Sequence, residues 1–306
     1  MDIQRIAIMS PGEMGSGIGR VLLKGGLQPV VCLEGRSALS ALRARESGFA
    51  EASSLEELIE TVDMVISIMV PAEAEHAAQL VAKAMLRTDA HPSYLECNAL
   101  SPLSMERIAD MFVPTRAAFI DGFVFGPPPD KSDKTWICYS GVNTESMKAL
   151  SEAGLNVRSV GARVGQASAL KMLDSASRKA VTALWTEILT AAHSMGLYDA
   201  LGELYAISGD DGFLEKSKHL PHIAPRVRRF VGEMEEIAGM LEQIGLTPRM
   251  LDGAADIFRQ VGETSLGDLT PRDPEPTLVH FLETVSDYAR DKKFLPKWNI
   301  KPERKK

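Results

Sequence analysis

The sequence predicts an α/β protein: a doubly wound parallel sheet in the N-terminal half, followed by an all-helical C-terminal half. Three observations predict it. Short apolar runs suited to strands, at residues 6–9, 29–33, 64–70, 93–97, 117–123 and 136–139, alternate with amphipathic runs at 14–24, 37–46, 73–86 and 102–111. The first apolar run, Ile6-Ala7-Ile8-Met9, ends in a glycine-bearing turn, Ser10-Pro11-Gly12-Glu13-Met14-Gly15, that opens the first helix. Beyond about residue 160 strand-like runs stop, and the runs at 225–244, 250–262 and 276–290 keep the helical period.

The turn carries the first functional argument. In an α/β sheet whose first loop holds a pyrophosphate, one glycine lets the backbone approach the phosphates. Another lets the helix pack closely on the strand, and the free N–H groups of the helix N-terminus face the anion. Gly12 and Gly15 stand at those places, with Glu13 and Met14 between them, whereas Ser10 replaces the first glycine of the usual G-x-G-x-x-G. The flanking strand, helix and second strand make this a Rossmann-type opening rather than an ordinary glycine turn.

Ligands in such sheets lie beyond the carboxyl ends of the strands, so the residues after each strand come next. The second strand is followed by Glu34-Gly35-Arg36-Ser37. An acid there accepts hydrogen bonds from ribose hydroxyls and favours NAD, whereas an arginine there favours the 2′-phosphate of NADP. Arg36 and Ser37 together favour NADP, with NAD the alternative that Glu34 supports. Val70 and Pro71 follow the next strand, where Pro71 suits a helix start and backbone groups meet the cofactor. Asn98, after the strand at 93–97, is placed to bond a ribose hydroxyl, the nicotinamide or a substrate carboxylate, or to serve only the turn. Phe125 and Gly126 precede three prolines, a rigid loop that either offers N–H groups to a carboxylate or simply ends a strand.

Composition bounds the function class. The chain has 306 residues, of which 45% are hydrophobic and 25% charged, enough for a sizeable core in one large or two medium domains. A net charge of -7 argues against a nucleic-acid or anionic-membrane surface. Cys32, Cys97 and Cys138 show no metal-ligand spacing, so no metal site is expected. The start lacks a basic segment followed by a long apolar one, and no apolar run is long enough to span a bilayer; a cytoplasmic protein is the expectation.

A glycine-bracketed turn in the stretch 160–171 opens a long helical run to about Met195. Leu173, Ala176, Ala180, Leu184, Ile188, Ala191 and Met195 recur at helical spacing, which predicts one buried stripe and suggests a dimer. Lys171, Asp174, Ser175 and Arg178 form a neighbouring polar face. A lysine near a helix start opposes the dipole, so Lys171 is not there for helix stability. Lys179 is a second cation, either a ligand for an acidic substrate or a salt-bridged surface lysine. The stretch 218–229, with His219, His222 and three arginines, reaches an anionic substrate or forms a solvated basic face. The expected domains are 1–160 for dinucleotide binding, 161–290 for a helical substrate and dimerisation domain, and 291–306 for a basic tail.

With these residues in order, the chain resembles the β-hydroxyacid dehydrogenase superfamily, which includes 6-phosphogluconate, 3-hydroxyisobutyrate and L-threonate dehydrogenases and the imine reductases. The Ser-Pro-Gly-Glu-Met-Gly opening and the stretch from Arg226 to Ile237 resemble its 6-phosphogluconate dehydrogenase-like branch with a helical C-terminal domain. The resemblance implies that Gly12, Met14 and Gly15 hold the dinucleotide and that Arg36-Ser37 is the NADP pair. It implies that Asn98 and the Phe125-Gly126 loop meet substrate, and that Lys171 is the catalytic lysine. Asp174 and Ser175 stand where the family often carries an asparagine pair. The implied activity is oxidoreduction between a small hydroxy acid and its keto form, with a homodimer built through the helical domains. A ketone or imine reductase for a larger aromatic substrate, using Phe123, Phe125 and Trp185, and a dinucleotide sensor without turnover are the other readings.

Overall fold

The structure is a computed structural model and describes residues 3–291. The basic tail expected at the C-terminus lies, from residue 292, outside the described residues. The first unit runs through Met172 and the second begins at Leu173.

In the first unit, eight strands form one sheet among the described residues: β1 Arg5–Ile8, β2 Gln28–Cys32, β3 Ala50–Ala52, β4 Met64–Ser67, β5 Ser93–Glu96, β6 Phe119–Phe125, β7 Trp136–Ser140 and β8 Asn156–Gly161. Their order is 3-2-1-4-5-6-7-8, and every pair is parallel except β6–β7. The first six follow the doubly wound dinucleotide-binding order, whose crevice opens between β1 and β4. The central strands are apolar on both faces because both are covered: Ile6, Ala7, Ile8, Met64, Val65, Ile66 and Leu95 have no exposed surface.

Six helices cover or flank this sheet: α1 Glu13–Lys24, α2 Ala38–Glu46, α3 Leu55–Thr61, α4 Pro71–Thr88, α5 Pro102–Phe112 and α6 Met147–Glu152. Ala78, Val81 and Met85 of α4 and Met105, Ile108 and Phe112 of α5 bury one face with Val65 and Tyr94. Ile18 and Leu22 of α1 and Met147 and Leu150 of α6 bury the other with Ile8, Ile66 and Leu95. Local chemistry sets the helix starts. Ser37, Ser54 and Ser101 accept the N–H of residues three further on, and Pro71 and Pro102 occupy first turns. The strands β3 and β8 and the helices α3 and α6 are absent from the sequence expectation. Ala-Glu-Ala in β3 and the largely exposed β8 bury too little apolar surface to show a period.

The helix α7, Gln166–Ser194, begins in the first unit and continues into the second. Its start is held on the sheet by Asp121 of β6, which accepts the N–H groups of Gly165, Ala167 and Ser168. The second unit continues with α8 Tyr198–Ser208, α9 Gly212–His219, α10 Val227–Gln243, α11 Arg249–Gly262 and α12 Leu278–Asp291. The pair α10–α11 buries Phe230, Met234 and Ile237 against Leu251, Ala255 and Phe258 in its own core, where the Phe230 and Phe258 rings meet edge-on at 5.3 Å.

One expectation is corrected here. The α7 stripe is not buried in the chain: Leu173, Leu184 and Met195 are 50%, 51% and 69% exposed. The buried row is Met172, Ala183, Thr186, Leu189 and Thr190. The helical period is right and its phase is wrong, because two threonines occupy the packed side. Thr186 returns its hydroxyl to the Thr182 carbonyl at 2.9 Å, so it packs as a small β-branched side chain. Among the described residues no helix is long and apolar enough to cross a membrane, and no group of three His, Cys, Asp or Glu could hold a metal ion.

Candidate functional site

The site is built at the carboxyl ends of β1, β2, β4, β5 and β6. At the β1–α1 turn, Gly12 caps α1 with extended backbone and no side-chain cap, so the first N–H groups of the helix are left to a ligand or water. A Cβ on Gly12 would meet nothing within 4 Å, whereas one on Gly15 would lie 2.2 Å from the Ser10 carbonyl. Gly15 is therefore required for the turn to close, and Gly12 keeps the approach to the helix end open. Ser10 costs the turn nothing: among the described residues the only non-glycine positions with positive φ are Asp89 and Arg116. These residues fit a pyrophosphate at the helix end.

The Glu13 side chain is engaged by a neighbouring loop. It pairs with Lys131 at 2.8 Å, and this lysine holds its carboxyl below the usual range. Lys131 belongs to the loop after Gly126, which folds back on α1. Arg20 forks onto Asp130 at 2.9 and 2.7 Å, and a Cβ on Gly17 would stand 2.5 Å from Asp130 Oδ1. Gly126 sits in the left-handed region (φ 112°), with its absent Cβ 3.0 Å from Thr135 Cα, so its conformation serves this fold-back.

After β2, Gly35 has a φ of 68° and lets Arg36 turn across the sheet end, where its guanidinium donates to the Met9 carbonyl at 3.0 Å. Ser37 is occupied as the cap of α2, accepting Ser40 N–H at 3.2 Å. A cleft of about 450 Å³ lies here, lined by Met9, Cys32, Glu34, Gly35 and Arg36 on one side and Leu58, Met69, Glu73 and His76 on the other. Its apolar floor and charged rim fit an adenosine with its ribose at Glu34 and Arg36. Glu73 and His76 stand in the first and second turns of α4, and His76 is a lining residue that the strand-end rule missed.

After β4 and β5 the two loops are joined. Val70 is 66% exposed and leads into Pro71 at the head of α4, while Asn98 is buried. Asn98 Oδ1 accepts Met69 N–H at 2.6 Å, and its Nδ2 donates to Ser67 Oγ at 3.1 Å and to Glu96 Oε1 at 2.5 Å. The side chain of Asn98 thus faces inward, and what it contributes toward the cleft is the backbone it holds.

Beside this edge stands Lys171, in the second turn of α7. Its Nζ lies 5.7 Å from the Phe123 ring and 6.0 Å from the Phe125 ring, distances at which ring faces attract an ammonium. Phe125 and Trp136 are register partners on β6 and β7, 38% and 42% exposed, so an aromatic pair stands at this end of the two strands. The helix that carries Lys171 is fastened by Asp121. This buried carboxylate takes the Gly165, Ala167 and Ser168 N–H groups at 2.8, 3.0 and 3.2 Å and the Ser168 and Ser140 hydroxyls at 2.6 and 2.9 Å. Burial raises its pKa and the hydrogen bonds oppose that rise. Asp121 and Glu96 are the functional-edge residues that sequence reading passed over. Their signal was an acid inside an apolar strand run, a residue type buried only when it is satisfied by partners.

In the second unit, Asp174 and Ser175 follow Lys171 by three and four residues along α7. Asp174 pairs with Arg178 at 2.9 Å. Lys179 donates to Ser175 Oγ at 2.6 Å, pairs closely with Glu233 of α10 and lies 4.9 Å from the Phe230 ring. Its charge is thus met within the unit, the salt-bridged arrangement of the two weighed from sequence. In the basic stretch 218–229, His222 pairs with Glu275, Arg228 with Asp268 and Arg229 with Glu233.

Comparison with known proteins places this architecture. A conserved protein of unknown function, MTH1747, whose structure is described as similar to 3-hydroxyacid dehydrogenases, is 30% identical. It aligns over 85% of this chain and 97% of its own with a TM-score of 0.70. The chain belongs to the 3-hydroxyacid dehydrogenase-like family. Within that family, the 3-hydroxyisobutyrate dehydrogenase of Mycobacterium tuberculosis shares the fold at 15% identity, with a TM-score of 0.69 over 93% of this chain and 99% of that one. An uncharacterised 28.5 kDa protein of Methanothermus fervidus is 27% identical over 85% of this chain and 99% of its own length. Residues 192–261 match a domain of unknown function, DUF1932, so the helical unit of this 3-hydroxyacid dehydrogenase-like chain carries a defined domain of its own.

Proposed function

We propose that the protein is an NADP-preferring oxidoreductase that interconverts a small hydroxy acid, or a related alcohol, and its keto form, with Lys171 as general acid/base. The observation that carries this reading is the placement of Lys171 at the strand-end edge, on a helix pinned by Asp121. When bound, the cofactor supplies the hydride acceptor or donor. Gly12 and Gly15 with Glu13 and Met14 shape the pyrophosphate turn, Arg36 and Ser37 hold the adenosine end, and Val70, Pro71 and Asn98 form the edge for the nicotinamide half. Oxidising an alcohol requires a proton to leave its oxygen, and Lys171 Nζ takes it; in reduction the ammonium returns it to the carbonyl oxygen and polarises that carbonyl. Within the first unit, substrate contacts are assigned to Lys171, Phe125, Gly126 and the backbone that Asn98 holds.

A second reading is favoured by one observation: Phe125, beside Phe123 and opposite Trp136, presents an aromatic wall at the loop that the resemblance assigns to substrate. This suits a ketone or imine reductase with a larger aromatic substrate. A homodimer formed through the exposed Leu173, Leu184 and Met195 row of α7 and a cytoplasmic location complete the proposal.

The test is a turnover screen with NADP(H) and NAD(H) against hydroxy acids, aromatic ketones and imines, run beside Lys171→Ala. Oxidation of an acid that the variant loses while still binding NADPH supports the first reading, and reduction of aromatic ketones or imines alone supports the second. NADPH binding with no turnover across the panel supports a sensor.

A further inference from the structure

Glu96 is fully buried at the last position of β5, and among the described residues no Lys or Arg pairs with it. An ionisable group in that position is costly unless its hydrogen bonds do something an apolar residue would not. Its bonds form a chain. Oε1 accepts the backbone N–H of Asn98 at 3.0 Å and the Asn98 side-chain amide at 2.5 Å, and Oε2 accepts the Tyr94 hydroxyl at 3.2 Å. Asn98 then spends its remaining Nδ2 hydrogen on Ser67 and its Oδ1 on Met69 N–H. The path runs from the end of β5 to the loop leaving β4, and it stops at the backbone beside Val70.

The two donors on Oε1 explain why a carboxylate is needed. An asparagine with only its own turn to satisfy would rotate its amide freely. Here the carboxylate takes N–H donors from both the backbone and the side chain of Asn98, which leaves Oδ1 aimed at Met69. We propose that Glu96 is a positioning residue for the dinucleotide site, which sets Asn98 and, through it, the Met69–Val70 backbone at the nicotinamide end. This rests on the dinucleotide-binding reading given above.

Charge makes the positioning adjustable. Burial lifts the Glu96 pKa from 4.5 to about 7, against the pull of the Asn98, Ser67 and Tyr94 hydrogen bonds. Of the titratable groups around it, Tyr94 and Cys97 are carried away from neutrality by the same upward direction of shift. Burial and the nearby Glu96 charge push the Tyr94 hydroxyl well above 10, and burial pushes the Cys97 thiol well above 9. Asp121, its register partner on β6, is a second buried acid with a raised pKa. From α4 and α5 the same core layer receives Ala78 and Met105, which carry no charge. The ionised form holds Asn98 by charge-assisted bonds and the protonated form by weaker neutral ones.

The test uses the full-length protein without added ligand. The Asn98 side-chain amide and the Met69 backbone amide are followed by ¹⁵N NMR from about pH 5.5 to 8.5. Both are expected to shift with one midpoint near 7. Glu96→Gln should leave both flat. Tyr94→Phe, which removes a bond to the ionised form without touching Asn98, should move the midpoint upward. Amides that do not titrate, or that titrate unchanged in both variants, overturn the proposal. NADPH and NADP⁺ binding is then measured at the two ends of that range. Glu96→Gln is expected to weaken binding roughly fivefold at the alkaline end and to abolish the pH dependence. Unaltered affinity and pH dependence in the variant overturn the positioning role. Wild-type amides that titrate in a protein that binds neither dinucleotide overturn the dinucleotide reading and, with it, the site that Glu96 would position, while the Glu96–Asn98 coupling stands.

Discussion

Ser168 donates to both oxygens of Asp121: its hydroxyl to Oδ1 at 2.6 Å and its backbone N–H to Oδ2 at 3.2 Å. The pair ties the first turn of α7 to β6, the strand that also carries Phe123 and Phe125. Lys171 stands three residues beyond Ser168, so its distance from those rings is set by this fastening.

Asp121→Asn should therefore damage stability and activity together. The amide would turn an N–H₂ toward a site that now receives three backbone N–H groups and two hydroxyls, leaving buried donors without an acceptor. A loss of about 2–4 kcal/mol is expected in urea unfolding. Ser168→Ala removes one hydroxyl and should cost about 1 kcal/mol. Equal costs for the two variants would mean that Asp121 does not act as the common acceptor.

Lys171→Ala should lower turnover by about 10²–10⁴-fold while NADPH affinity changes little, as expected of a proton-transfer group. Phe125→Ser tests the aromatic wall. With the ring replaced by a hydroxyl, kcat/KM for small hydroxy acids should rise relative to aromatic ketones by about tenfold or more, since burying one ring is worth a few kcal/mol. Unchanged discrimination would remove Phe125 from the substrate pocket.

Arg36 lies over the end of β1 with one guanidinium N–H on the Met9 carbonyl. Its remaining donors suit a 2′-phosphate, and charge-assisted bonds of that kind contribute roughly 1.5–3 kcal/mol. Arg36→Ala should weaken NADPH binding about tenfold to a hundredfold and leave NADH nearly unaffected. Titration with both cofactors decides it, and equal losses for the two would assign Arg36 a structural part instead.

The positions of these residues were legible to different degrees, for physical reasons. The glycine turn and its strand were readable because Gly15 is sterically required: a Cβ there strikes the Ser10 carbonyl. The places of Arg36, Ser37 and Lys171, after a strand or near a helix start, were readable from the alternation of apolar and polar runs around them. The α7 stripe was misread in phase because threonine scores as polar yet packs as apolar once its hydroxyl returns to the helix. The roles of Glu96 and Asp121 were invisible, since their partners lie in other loops, up to 47 residues away in the case of Asp121 and Ser168. Only the sheet order brings those loops together.

The raised pKa of Glu96 also makes stability depend on pH. The native state holds this proton more tightly than the unfolded chain does, with values of about 7 and 4.5 respectively. Unfolding between those values releases the proton, so the stabilising contribution is fully present below about 4.5 and is lost as pH rises through about 7. A gap of that size corresponds to about 3 kcal/mol across the whole window. Glu96→Gln has no proton to lose, so its stability relative to wild type should rise with pH. Urea unfolding at about pH 5 and pH 8 should show the difference between the two proteins changing by about 2–3 kcal/mol in favour of the variant at the higher pH. A difference that stays constant across that range would mean that Glu96 is ionised throughout, held by Asn98 strongly enough to cancel the cost of its burial.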